Sequence, residues 1–165
     1  MSRHKLVGPI RDLQLKKEFQ FKFLKDQGLE PEDYLLDIGC GTLRGGILLI
    51  DYLAEGHYYG TEVRANVLDE GRKELEEAKL THKNPVLVAT EDFDVGDGRK
   101  FDYMWAFSVL IHLTDELLDL CFQKVSEQLE ETGIFYANVN LQDRHVGAWQ
   151  GFPVMGHPLD FYQEI

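Results

Sequence analysis

Asp37, Gly39, Gly41 and Glu62 are the residues whose types and spacing point most directly to chemistry. In Leu35-Leu36-Asp37-Ile38-Gly39-Cys40-Gly41-Thr42-Leu43-Arg44-Gly45-Gly46 an apolar run ends in an acid and passes into a glycine-rich turn. Ile47, Leu48 and Ile50 then open an apolar helix. Glycines without a Cβ let backbone approach a ligand closely, and the free N–H groups at a helix start favour a carboxylate or a phosphate. Glu62 closes a second apolar run 23 residues beyond Gly39, where a carboxylate can accept hydrogen bonds from both hydroxyls of a ribose. Together these residues read as a nucleotide-type cofactor site. His112, in Ser108-Val109-Leu110-Ile111-His112-Leu113, adds an imidazole, the side chain suited to taking a proton from a hydroxyl or amine near neutral pH.

The elements that must hold these residues alternate. Leu15, Phe19 and Phe23 recur every four residues ahead of Gly28 and Pro31, which predicts an N-terminal helix packed through one aromatic stripe. Strands are predicted at residues 34–38, 58–62, 85–90, 101–107 and 134–139, with helices after the first, second and fourth. Thr114 is placed to cap the last of these helices, with Asp115 and Glu116 in its first turn and Leu118, Cys121, Val125 and Leu129 as its buried stripe. Strands alternating with helices predict an α/β fold, a mostly parallel sheet covered on both faces. From Leu141 the composition shifts to polar residues, glycine and aromatics, which reads as a loop carrying Trp149, Phe152 and Met155 before a helix that begins near Pro158.

Composition narrows the function classes. At 165 residues and 44% hydrophobic content the chain is expected to be one domain with a substantial core. Its parts are an N-terminal helix region at 1–30, a core at 31–140 and a partial second-substrate region at 141–165. Residues 1 to 9 lack the apolar core of a secretory signal, and no run approaches the roughly 20 apolar residues that span a bilayer. A cytoplasmic location is therefore expected. A net charge of −12 repels nucleic-acid phosphates and anionic membranes, so small molecules or proteins are the expected partners. Residues 1 to 27 hold seven of the basic residues against three acids, which reads as a solvated helix face or, less simply, a patch for an anionic substrate. Cys40 and Cys121 match no zinc or redox spacing, so no metal site is expected, and His4, His57, His82, His145 and His157 show no ligand spacing.

Taken in order, Asp37-Ile38-Gly39-Cys40-Gly41, the acid Glu62, and Phe101-Asp102-Tyr103-Met104-Trp105-Ala106-Phe107-Ser108 with His112 resemble the class I S-adenosylmethionine-dependent methyltransferases over roughly residues 30 to 140. The resemblance implies a three-layer Rossmann-like fold, S-adenosyl-L-methionine as cofactor, and methyl transfer to a small-molecule oxygen, nitrogen or carbon. It assigns cofactor contacts to Asp37, Gly39, Cys40 and Gly41 at the first turn and to Glu62 at the ribose. Val63, Asp92 and Phe93 fall at the adenine and Phe107 beside cofactor and acceptor, with His112 as candidate base. Leu43 stands where the family often has a third glycine, and Gly45 and Gly46 follow it. A nicotinamide-dependent oxidoreductase is the rival enzyme, but its G-x-G-x-x-G fingerprint differs from Gly39-x-Gly41-x-x-x-Gly45. A non-catalytic scaffold that keeps the fold is the other alternative. The family's sheet ends in an antiparallel strand pair that nothing after Val139 supplies in full, so the chain is expected to be a fragment. The fifth strand's exposed edge is then open to cover by a homodimer or by residues 141–165.

Overall fold

The computed structural model describes residues 3–8, 13–141 and 147–164. His145, Arg11 and the C-terminal Ile165 lie outside them. Five strands form one sheet in the order β3-β2-β1-β4-β5: β1 (Leu35–Ile38), β2 (Tyr58–Glu62), β3 (Val86–Ala89), β4 (Phe101–Ala106) and β5 (Leu129–Ala137). Every pairing is parallel. Parallel strands need crossovers, and α2 (Gly46–Tyr52), α3 (Ala65–Glu77) and α4 (Asp115–Gln128) supply them. Between β3 and β4 the chain crosses with no helix at all. α1 (Leu13–Asp26) precedes the sheet.

Because side chains alternate along a strand, the sheet sorts its residues into two layers. Leu35, Tyr58 and Trp105 face a cluster with Leu24 of α1, Leu49 and Ile50 of α2, and Leu68 and Leu75 of α3. Leu36, Ile38, Tyr59, Phe101, Met104 and Ala106 face Leu118, Cys121 and Val125 of α4. Burying an aromatic side chain such as Phe101 this fully stabilises by about 1.5–3 kcal/mol. Asp37 and Glu62 belong by alternation to the first layer, the only acids that are both buried and at strand ends among the described residues.

Several boundaries and contacts depart from the sequence reading. The helix after β1 opens at Gly46, as the apolar run from Ile47 predicts, but it ends at Tyr52, and within the turn before it Leu43 adopts a left-handed φ of 55°. On α1, Phe23 packs on Trp105 and Tyr136, whereas Leu15 and Phe19 are 66% and 51% exposed, so the stripe buries only its C-terminal end. Thr114 holds the N-cap position of α4 without a side-chain cap bond. The expected loop around Trp149 contains a hairpin, β6 (Gly147–Trp149) and β7 (Phe152–Val154), antiparallel and separate from the main sheet. α5 (Leu159–Glu164) follows it. His157 lies in the loop before α5, where it stacks on Phe161 with ring centroids 3.9 Å apart, and its Nε2 lies 3.3 Å from Asp115. Arg3 and Lys17 of the basic N-terminal stretch pair with acids of α3, including Glu74. No helix of the described residues is long and apolar enough to cross a membrane.

Strand β5 starts directly at the end of α4, so the chain must be drawn into register after a bulge. The partner of Phe101 is Leu129, but the partner of Tyr103 is Ile134. Gly133 makes this possible: a Cβ there would sit 2.8 Å from the Phe101 carbonyl oxygen, a backbone atom that cannot yield without parting β4 from β5. Gly133→Ala is expected to destabilise the protein by about 1–3 kcal/mol, read as a loss of several degrees in thermal melting. An unchanged melting temperature would show that the bulge absorbs the methyl.

Candidate functional site

The strand order reverses between β1 and β4, since β1 leads outward to β2 and β3 while β4 leads to β5. At such a switch point the loops leaving the carboxyl ends of neighbouring strands part in opposite directions and leave a crevice. A cavity of about 460 Å³ lies there. Its walls are the ends of four strands, with Asp37 of β1 and Gly39 to Gly41 after it, Thr61 to Arg64 at β2, Thr90, Glu91 and Phe93 after β3, and Phe107 to Val109 after β4. Lys16 and Gln20 of α1 line one side, and Trp149, Phe152 and Val154 of the hairpin line another.

The first wall is a tight turn held by the sheet itself. Cys40 N–H donates to the Thr61 carbonyl at 2.9 Å, so the turn continues the pairing of β1 with β2. Gly39 and Gly41 have φ of +71° and +58°, values that cost most residues strain. A Cβ at Gly39 would lie 2.5 Å from Val109 Cγ2, and one at Gly41 2.7 Å from Val7 Cγ1, so neither position has room for a side chain. Cys40 is buried against Gly60, and burial pushes its thiol well above the ordinary range, which leaves it an inert packing group of the wall.

Asp37 is the most perturbed acid in the cavity. It is 5% exposed, and its pKa is pushed up to about 7, first by burial, with Tyr58's hydrogen bond opposing and Glu62's charge adding to the rise. The Tyr58 hydroxyl donates to Asp37 Oδ2 at 2.6 Å. Gly46 allows this approach, because a Cβ there would collide with Tyr58 Oη. The carboxyl is therefore a group whose charge is poorly solvated and which a cation placed in the cavity would stabilise.

Glu62, also 5% exposed, uses Oε1 to accept from the backbone N–H and the Nε of Arg64 at 3.0 and 2.9 Å. Its Oε2 is directed toward the glycine turn, 3.8 Å from the place of a Cβ on Gly41. Thr61 Oγ1, on the same stretch of wall, is buried and has no hydrogen-bond partner among the described residues. His112 Nδ1 lies 2.8 Å from the Pro153 carbonyl oxygen, which can only accept, so Nδ1 carries the proton and Nε2 the lone pair in the neutral ring. The imidazole stacks on Trp149 at 5.6 Å. Phe107 stacks on Trp105 at 5.7 Å. Arg44 also lines the cavity, and burial lowers the pKa of its guanidinium.

Of the residues singled out from the sequence, Asp37, Gly39, Cys40, Gly41, Glu62, Val63, Phe93, Phe107 and His112 line this one cavity. Asp92 does not: its carboxylate accepts from the Thr90 hydroxyl and from the Asp94 N–H, and it is the neighbouring Thr90 and Glu91 that reach the wall. Trp149 lines the cavity as well, and on α5 the Tyr162 ring packs 5.8 Å from that of His157. Sequence reasoning missed Tyr58, Arg64, Gln20 and Gln128. Gln20 accepts from Trp105 Nε1 at 3.1 Å, and Gln128 donates to the Phe93 carbonyl at 3.0 Å, fixing the loop after β3. Alternation along β2 was the one available signal, since it puts Tyr58 on the same face as Glu62. Among the described residues no group of three or more His, Cys, Asp or Glu is arranged to hold a metal ion.

The sequence pattern that defines the methyltransferase domain matches residues 36–135, and the chain belongs to that family. A probable methyltransferase, ltbC, of Aspergillus luteorubrus is 29% identical over 70 residues, which cover 42% of this chain and 25% of that protein. The chain thus spans a quarter of the length of that relative. Magnesium protoporphyrin IX methyltransferase (ChlM) from Synechocystis PCC 6803, solved with bound SAM, shares the fold at a TM-score of 0.72 and 16% identity, covering 99% of this chain and 70% of its own. A S-adenosylmethionine-dependent methyltransferase from Clostridium acetobutylicum ATCC 824 does so at a TM-score of 0.63 and 23% identity, over 76% of this chain and 50% of its own.

The raised pKa of Asp37 has a consequence for stability. An acid near 3.8 when unfolded and about 7 when folded holds its proton longer in the native state. Its contribution is therefore full below pH 4 and lost as pH rises toward 7, by up to about 4 kcal/mol. Urea denaturation at pH 5 and pH 8 checks this: Asp37→Asn is expected to gain stability relative to the parent at pH 8 and much less at pH 5. Equal differences at the two pH values would place the Asp37 carboxyl in a solvated setting.

Proposed function

We propose that this domain binds S-adenosyl-L-methionine and catalyses transfer of its methyl group to a small-molecule acceptor. The observation that carries the reading is the pair of buried carboxylates, Asp37 and Glu62, set at the ends of adjacent strands on either side of a glycine turn with no room for side chains. Asp37 meets the cofactor's ammonium, which draws its carboxyl into the charged form. Glu62 accepts from the ribose hydroxyls through Oε2, with Oε1 held by Arg64. Gly39 and Gly41 admit the cofactor against the backbone. Val63, Glu91 and Phe93 border the adenine, Glu91 taking the place first expected of Asp92. Lys16 and Arg44, on the α1 side of the cavity, offer cations to the carboxylate.

When bound, S-adenosyl-L-methionine supplies an electrophilic sulfonium methyl with a neutral leaving group. The chain's contribution is then to hold the acceptor's nucleophile close and in line, worth roughly 7–11 kcal/mol of barrier. Phe107, Trp149 and Phe152 give the acceptor an apolar, aromatic wall. His112 Nε2, its lone pair fixed by the Nδ1–H bond to Pro153, accepts the proton that an oxygen or nitrogen nucleophile gives up.

Titration calorimetry with S-adenosylmethionine, S-adenosylhomocysteine and NAD tests the reading. The first two are expected to bind and NAD to leave no heat. Glu62→Gln is expected to weaken S-adenosylhomocysteine about 10–100-fold, as losing hydrogen bonds to a charged acceptor does. Binding of NAD alone, or full affinity after substitution of both Asp37 and Glu62, would contradict it.

A further inference from the structure

Arg64 joins three parts of the cavity wall that are far apart in sequence. Standing at the N-cap of α3, it fastens its backbone N–H and Nε to Glu62 Oε1. Its Nη1 donates to the Leu6 carbonyl at 3.0 Å and to Gln150 Oε1 at 3.3 Å, and its guanidinium carbon lies 5.3 Å from the centre of the Phe152 ring. Gln150, at the tip of the hairpin, donates in turn to the Lys5 carbonyl at 3.2 Å. The hairpin strands pair only with each other; among the described residues these bonds and the Pro153 carbonyl on His112 fasten the hairpin to the body, and just past it Met155 donates to the Ile111 carbonyl and accepts from Asn140. The 3₁₀ turn at Arg3–Val7 likewise reaches the cavity through Val7 beside Gly41.

We infer that Arg64 is a positioning residue that couples ligand occupancy at Glu62 to closure of residues 3–8 and 147–154 over the cavity. The inference rests on the reading of this cavity as a cofactor site. Its physical basis is the planar guanidinium, whose donors point in fixed directions. With Nε committed to Glu62, the orientation of that carboxylate determines where Nη1 points. Ribose hydroxyls on Oε2 hold the carboxylate still, and with it the guanidinium that meets Leu6, Gln150 and the Phe152 ring. A ligand that orders one end of this chain of contacts lowers the cost of ordering the other. The closed hairpin presents Trp149 and Phe152 and sets the Pro153 carbonyl on His112. The acceptor wall is thus completed after the cofactor is seated, which makes binding ordered, cofactor first.

Amide hydrogen exchange with and without saturating S-adenosylhomocysteine tests this on the full chain, on Arg64→Met, and on Gln150→Ala and Gln150→Glu. In the parent protein the ligand is expected to raise protection in residues 3–8 and 147–154. Gln150→Ala, which leaves the Glu62–Arg64 pair intact, is expected to bind within about fivefold of the parent and to lose most of that gain in both segments. Gln150→Glu keeps an acceptor for Nη1 and is expected to restore the gain in 147–154. Arg64→Met is expected to weaken binding about tenfold and to abolish the gain at saturation. If Gln150→Ala and Arg64→Met bind and keep the parent's gain, the coupling is wrong and the cofactor site stands. If the parent does not bind S-adenosylhomocysteine at all, both fall.

Discussion

The buried carboxyl of Asp37 is the constraint around which the site is arranged. A carboxylate out of water is costly unless something answers its charge, and Tyr58's hydroxyl answers only part of it. Holding that hydroxyl in place requires Gly46 to lack a Cβ and β2 to lie in register with β1, Asp37 beside Gly60. The same register delivers Glu62 to the end of β2 and lets Cys40 bond to Thr61, which bends the turn so that Gly39 and Gly41 face the cavity. A second acid nearby raises the cost of ionising the first. The arrangement is therefore poised for a ligand that brings a positive charge and hydroxyl donors together.

The topology decides where such a ligand goes. Since the strand order turns back between β1 and β4, loops from both halves of the sheet border one crevice. The acids enter from β1 and β2, the aromatic wall from the end of β4 and from the hairpin that follows the sheet. Polar recognition and apolar contact are thus supplied by different parts of the chain, joined at Arg64. This separation builds the acidic side of the cavity from strand ends and the aromatic side in part from a short hairpin anchored by side chains.

Much of this was legible in the residues alone because it is local. Period-two patterns and glycines mark β1, β2, β4 and the turn between β1 and α2, and acids at strand ends stand out against apolar runs. The second strand lies at Tyr58–Glu62 as expected. What could not be read depends on partners distant in the chain. Tyr58 looks like any strand aromatic until the register puts it beneath Asp37. Asp92 was one of three acids in four residues, and only the left-handed turn at Phe93, φ 62°, settles which of the neighbours reaches the wall. The Leu15 and Phe19 positions keep helical periodicity although only the end of α1 meets the core. The hairpin at 147–154 carries glycines and a proline rather than a strong alternating pattern, and its place is set by Arg64 and His112.

The most direct test of the account is a crystal structure of the protein with S-adenosylhomocysteine. The account predicts the ribose hydroxyls on Glu62 Oε2 with Arg64 retained on Oε1, the ammonium at Asp37, and the sulfur turned toward Phe107 and His112. A ligand lodged elsewhere, or one in this cavity that leaves both acids untouched, would contradict it.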